Sequence, residues 1–246
     1  PRTVTAVTKE VMEDKQVTSV RELARQTPGV TLGTGEGGNA FGDVLFIRGF
    51  RATSDTYIDG IRDPSVSMRE NFMVEQVEIV KGPSGSISGR GTTGGAVNLV
   101  TKKPQDENFG VVTTTIGTDA TRRVAVDINQ VIDPTLSVRA NGMWQEADVA
   151  GRDHVFDDRW GGALAATWKP TTAFKLTADY YHLNLEQMPD WGVPWDAAHR
   201  RPFPESGLNR DTFYGVLGRD FQEGEQDIGT LTAEIRLAPG VVVTNK

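Results

Sequence analysis

The sequence predicts a mixed α+β unit over roughly the first hundred residues, followed by antiparallel strands of a β-barrel or β-sandwich. Three observations lead there. Short helix-like and strand-like segments alternate with glycine-rich turns as far as Pro104. From Phe109 onward, apolar and polar residues alternate with a period of two, the signature of strands with one face unlike the other. The connections between these later strands are tight and long in turn.

In the first part, the opening residues to Val7 alternate like a strand, and a first helix is expected over residues 9–15. A second is expected over residues 18–26. Thr18 or Ser19 caps it, Glu22 stands where a capping-box acid would, and Pro28-Gly29 stops it. Val17, Val20, Leu23 and Ala24 then share one face, as in a helix laid on a sheet. Short apolar runs at residues 44–47, 56–58, 77–80 and 97–101 read as strands. Gly89-Arg90-Gly91-Thr92-Thr93-Gly94 matches the dinucleotide fingerprint, which requires a helix to open on it. Gly95-Ala96-Val97-Asn98-Leu99-Val100 follows instead and is strand-like, so a tight glycine turn is the better reading.

In the second part, Val124, Val126 and Ile128 oppose Arg123, Asp127 and Asn129. Leu136, Val138, Ala140 and Trp144 oppose Ser137, Arg139, Asn141 and Gln145. Trp160, Leu164, Ala166 and Trp168 oppose Gly161, Ala163, Ala165 and Thr167. The pattern recurs over residues 174–180 and 230–237. A soluble sandwich alternates in the same way. Three details favour a membrane barrel: charges in mid-strand (Asp127, Arg139, Asp179), aromatic residues near strand ends, and tight turns at residues 132–134 and 169–172 against long loops at 147–157 and 187–224. Ten residues rise about 33 Å, which a tilt near 40° reduces to roughly the 25 Å of an apolar band.

Composition narrows the classes. No run of 18 apolar residues exists in the 246, so a transmembrane helix is excluded, whereas a barrel is not. A net charge of −7 without a basic run argues against nucleic acid as a partner. The absence of cysteine removes disulfides and thiolate metal sites. His154, His182 and His199 are far apart, without a metal-ligand spacing, and Ser86 and Ser88 lack partners for a nucleophile elbow.

One ordered set of motifs carries more. Ile47-Arg48-Gly49-Phe50 and Tyr57-Ile58-Asp59-Gly60 precede Val74-Glu75-Gln76-Val77-Glu78-Ile79-Val80-Lys81-Gly82-Pro83, and Gly89 to Asn98 follows. This set resembles the plug domain of TonB-dependent outer-membrane receptors, above all those importing ferric siderophores, and most of all ferric catecholates. The resemblance implies an α+β plug domain over residues 1–104 and, over 105–246, the first antiparallel strands of a transmembrane β-barrel, a fragment of 22 strands. A signal peptide and an energy-coupling segment would precede Pro1, and most of the barrel would follow Lys246. The implied partners are a ferric siderophore, TonB of the inner-membrane complex, and outer-membrane lipid with lipopolysaccharide, around a monomer. The protein would need no cofactor, because the siderophore carries the iron.

The same resemblance places ligand contacts on two plug apices, residues 33–43 with Asn39 and residues 63–71 with Met68 and Arg69, flanked by Arg62. Guanidiniums there suit an anionic catecholate complex. The alternative is that Arg62 and Arg69 pair with nearby acids such as Asp63 and Glu70. The long loop adds Trp191, Trp195, Arg200 and Arg201, suited to a planar anionic ligand, or else merely covering the barrel mouth. Arg48 and Lys81 match plug positions that pair with barrel glutamates in relatives. Lysine cannot form the bidentate fork, and pairing inside the plug with Glu75 or Glu78 is the alternative. Rival functions are import of hydroxamates, cobalamin or oligosaccharides, a signalling receptor, and a soluble nucleotide-binding enzyme.

Overall fold

The structure is a computed structural model that describes residues 3–33, 42–83 and 93–246. Two compact units divide it. Pro1–Thr101 and Pro189–Asp220 form the first, and Lys102–Met188 and Phe221–Lys246 the second.

The first unit runs β1 (Thr3–Thr8), α1 (Lys9–Asp14), α2 (Val20–Arg25), β2 (Val30–Leu32), β3 (Leu45–Ile47), β4 (Phe50–Arg51), β5 (Thr56–Ile58), β6 (Ile61–Arg62), β7 (Val74–Lys81) and β8 (Gly95–Thr101). One sheet is ordered β1-β7-β8-β5-β6 and a smaller one β2-β3-β4. The α2 cap is reciprocal, but over four residues. Ser19 Oγ accepts from Glu22 N, while Glu22 Oε2 accepts from the Thr18 backbone N–H at 2.6 Å and its hydroxyl at 2.9 Å. Val17, Val20, Leu23 and Ala24 are all buried, as are Val44, Leu45, Ile47, Val77, Ile79 and Leu99 from the strands.

The described end of the glycine-rich motif leads directly into a strand. Gly94 and Gly95 stand where a Cβ would meet the Ile47 carbonyl oxygen at 2.5 Å and the Val80 carbonyl oxygen at 2.0 Å. These glycines let backbones touch, and β8 follows where a nucleotide-binding helix would have to open.

The second unit is one sheet in the order β17-β16-β13-β12-β11-β10-β9. Its strands are β9 (Phe109–Ile116), β10 (Arg122–Asp133), β11 (Leu136–Glu146), β12 (Asp157–Thr171) and β13 (Phe174–Gln187), then β16 (Gln222–Ala238) and β17 (Val241–Asn245). All pairings are antiparallel and, except between β13 and β16, sequential, which makes a meander with tight turns at one end and long connections at the other.

Its burial is inverted relative to a soluble protein. Arg123, Asp127, Asn129, Ser137, Arg139, Asn141, Gln145, Arg159, Thr167 and Thr177 are buried. Val124, Ile128, Trp144, Trp160, Leu164, Trp168, Tyr180, Leu231 and Ile235 are exposed. A sandwich would bury the second set. A wall between lipid and a polar interior exposes it, and this separates the two folds that the alternation alone left open. Trp144 lies directly opposite Trp160, and Trp168 packs edge-on against Phe174. The eight steps from Trp160 to Trp168 span about 27 Å along the strand, or about 20 Å at a 40° tilt, so the two aromatic pairs bracket most of an apolar band.

Strands β10 to β13 and β16 are longer than ten residues, and β12, β13 and β16 continue past this band. Beyond Trp160 the outward positions turn acidic: Asp158 pairs with Glu186, and Glu186 with Glu223. The start of β16 is therefore polar on both faces, and residues 222–224, assigned to the loop from sequence, are strand. The loop itself is more ordered than its sequence suggested. It contains a two-stranded ladder of β14 (Trp195–Asp196) and β15 (Arg201–Pro202), followed by a 3-10 turn, Phe203–Ser206.

Leu164→Arg, on the exposed mid-strand face, should cost about 2–4 kcal/mol of barrel stability. The inward Ala165→Ser should cost less than 1 kcal/mol. Unfolding of the protein from lipid vesicles measures both; equal effects would contradict the inverted wall.

Candidate functional site

Arg69 organises the apex at residues 63–71 from inside. Its side chain is 4% exposed. Nε and Nη2 donate to Asp63 Oδ2 at 3.0 and 2.8 Å, and Nη2 also donates to the Ser65 carbonyl at 2.9 Å. Nη1 reaches the Ser67 carbonyl at 3.3 Å and lies 3.5 Å from Asp43 Oδ2, which accepts the Arg69 backbone N–H at 2.9 Å. A guanidinium used this fully has no donor left to aim at a ligand. Of the two sequence readings, the geometry favours pairing with nearby acids, Asp63 and Asp43 rather than Glu70. Met68 is buried beside it. Both residues shape the apex rather than line its surface.

Asp43 is wholly buried. Burial pushes its carboxyl up to about 6, against the pull of Arg69 and Arg21 in the other direction. Among the described residues its Oδ1 has no hydrogen-bond partner, which agrees with a carboxylate that is costly to keep ionised.

Arg62 is the accessible cation of this region, with its side chain 39% exposed. It donates to Tyr57 Oη at 3.1 Å and to Asp55 Oδ1 at 3.3 Å, and its guanidinium carbon lies 5.6 Å from the Tyr57 ring centroid. Its acid partner is thus Asp55, not Asp63. The hydrogen bond with Tyr57 raises the arginine pKa further, and burial raises that of Asp55. Asn39 lies outside the described residues.

The loop residues belong to the same compact unit as this apex. Trp191 and Trp195 are exposed at 53% and 60%, and Arg200 is exposed at a positive φ of 53°. Arg201 is half-buried on β15, where it pairs with Asp196 across the ladder. Asp196 fixes the intervening turn by accepting from the Ala198 and His199 backbone N–H groups and from His199 Nδ1 at 2.6 Å. Trp195 is therefore presented at the foot of a built turn. Chemically, this surface offers π-faces and guanidinium donors and no nucleophile–base pair.

Arg48 is exposed on a turn with a φ of 52°, its backbone N–H donating to the Gly29 carbonyl. Lys81 Nζ donates to the adjacent Pro28 carbonyl at 2.7 Å. Both cationic residues thus brace the turn after α2. For Lys81 the bond seen goes to that carbonyl, whereas Glu78 takes the Asn98 amide.

One cluster was invisible to sequence spacing. Strand register sets His182 opposite Asp227, with Glu225 two residues away, and their ligand-capable atoms lie within 4.8 Å of one another. Asp227 already accepts from Tyr180 Oη at 2.5 Å and contacts His182 Nδ1 at 2.9 Å. These residues sit on the outward face of the wall. The signal that finds them is cross-strand pairing, which the 45-residue separation conceals.

Residues 1–96 match the family model described as the TonB-dependent Receptor Plug Domain. Over its full length the chain is 36% identical to the probable TonB-dependent siderophore receptor PiuA of Acinetobacter baumannii, covering 33% of that protein. Over 99% of its length it is 32% identical to the catecholate siderophore receptor Fiu of Escherichia coli K12, again covering 33%. The crystal structure of PiuA superposes on 99% of the chain with a TM-score of 0.90 at 34% identity, and the closed form of Fiu on 96% with 0.88 at 32%. The chain covers 35% of each of those structures. With this plug-matching segment and this inverted wall, the chain is similar along its whole length to the opening third of TonB-dependent siderophore receptors. It spans about a third of the length of the relatives it matches.

Asp43 gives a pH dependence of known sign. Its folded-state pKa, about 6, lies above the ordinary carboxylate value, so the folded state holds the extra proton between about pH 4 and 6. Stability from this group rises as pH falls through 6, by at most about 1.4 kcal/mol per pH unit. Asp43→Asn should abolish that slope. Unfolding midpoints at pH 7 and 5 check it, and a wild type no more acid-stabilised than the variant would refute it.

Proposed function

We propose that this chain is the plug and first barrel strands of an importer of ferric siderophores, catecholate complexes foremost, driven by TonB. The observation that carries the reading is similarity running through 96–100% of the chain to PiuA and Fiu, whose names state siderophore and catecholate reception. Arg62 and Arg200 supply donors for an anionic complex, and Trp191 and Trp195 supply faces for catechol rings. The protein's part is selective binding and gated passage, without bond-making of its own. Iron arrives inside its chelator as cargo.

The test is uptake by receptor-deficient cells that carry the whole receptor, supplied with ferric catecholate, ferric hydroxamate or unchelated iron. Uptake from catecholate alone, lost when TonB is removed, is the expected result; uptake from hydroxamate alone overturns the subclass. In the same assay Arg62→Ala should weaken binding of the anionic complex about tenfold, the worth of one charge-assisted hydrogen bond, with little change for a neutral hydroxamate. Arg69→Ala should instead lower stability, by roughly 3–5 kcal/mol, because it leaves buried carboxylates unpaired.

A further inference from the structure

The connector between the two compact units is not a linker in the usual sense. Such segments are ordinarily polar, flexible and poor in contacts. Here β8 ends at Thr101, whose N–H and hydroxyl donate to the Asp59 carboxylate, and from the next residue the chain is bonded to the strand wall.

Lys102 Nζ lies 2.8 Å from Asp127 Oδ2 on β10. Lys103 Nζ lies 2.8 Å from Asp179 on β13, and the Lys103 carbonyl accepts from Arg139 Nη1 on β11 at 3.0 Å. Asn129 on β10 grips the backbone itself. Its Oδ1 accepts from Gln105 N at 2.9 Å, and its Nδ2 donates to the Gln105 and Glu107 carbonyls at 3.0 and 2.5 Å. Asp106 accepts from Lys169 on β12 at 2.8 Å, and Asn108 Oδ1 accepts from Val131 N at 2.6 Å. Every residue from 102 to 108 except Pro104 is thus held, and the holders come from four adjacent strands.

The grip is also buried at its centre. Arg139 closes a bidentate pair on Asp127, with both bonds 2.8 Å, while its side chain is 1% exposed. Freeing Lys102 would leave part of that charge uncompensated away from water, a far larger penalty than parting an exposed ion pair. Asn129, 1% exposed, would lose three bonds at once.

We propose that Asn129, Asp127 and Arg139 are positioning residues for transport: they keep residues 102–108 fixed on the wall throughout the import cycle, so the rearrangement that admits cargo ends at Thr101. This rests on the transport reading above.

Two measurements on the whole receptor test it. The first pulls the receptor in a lipid bilayer from its N-terminal end. Release of chain up to Thr101 should add about 330–360 Å of length, followed by a discrete event at higher force before any strand leaves. Asn129→Ala should lower the force of that event alone, and Asn108→Ala should do so less. Absence of the event, or a force unchanged in both variants, overturns the proposal whether or not the protein imports siderophores. The second joins Asp106→Cys to Lys169→Cys, partners in an exposed ion pair, with a short bismaleimide in cells. The bridged protein should import at no less than the rate of the same variant unbridged. A tenfold fall on bridging would show that the segment must move, and would overturn the proposal; import by neither form would count against the transport reading, leaving the pulling result to decide this one.

Discussion

A strand wall in a bilayer cannot leave a charge facing hydrocarbon, and the inward placing of Asp127 and Arg139 follows from that constraint. Once inward, these mid-strand charges must be paired, because a lone buried ion costs several kcal/mol. Asp127 illustrates the result: one carboxylate takes a bidentate arginine from the neighbouring strand and a lysine from the connector. The outward positions are then free to be Leu, Ile, Trp and Tyr. The fold of the wall and the fixing of the connector are two results of one electrostatic requirement.

The first unit solves a related problem differently. Arg69 and Asp43 are buried in an apex without regular structure, where backbone groups lack ladder partners. Arg69 replaces those partners by donating to two loop carbonyls and two carboxylates. Gly42, with a φ of 74° and its Cα against the Val66 carbonyl, permits the close approach. Arg62, nearby and half-exposed, is held instead by Tyr57 and Asp55.

Much of this was legible in the chain. The helix cap at Ser19, the buried face of Val20, Leu23 and Ala24, and the two-residue period of the later strands all express local rules that neighbours reinforced. What periodicity could not give was the sign of the burial, since alternation is identical for a sandwich and a barrel. The start of β16 was hidden because Glu223, Glu225 and Asp227 put acids where an apolar outward face was expected. Arg69 and Arg62 looked equivalent in sequence. Only three-dimensional packing separates a guanidinium committed to loop carbonyls from one at the surface, and residues 43 and 69 meet across 26 positions. The His182 cluster and the pinning of residues 102–108 depend on register and long-range bonds, for which single-sequence spacing carries no signal.

The acidic rows beyond Trp160 have a kinetic consequence. Asp158, Glu186 and Glu223 face outward side by side, with Glu225 one step below. An anion drifting along that flank meets a potential of its own sign. Physiological salt confines the repulsion to about 8 Å of water, so it acts as a local fence rather than a distant field. Low ionic strength would widen the fence, and an anion approaching the outer rim of the wall would be turned away from farther off.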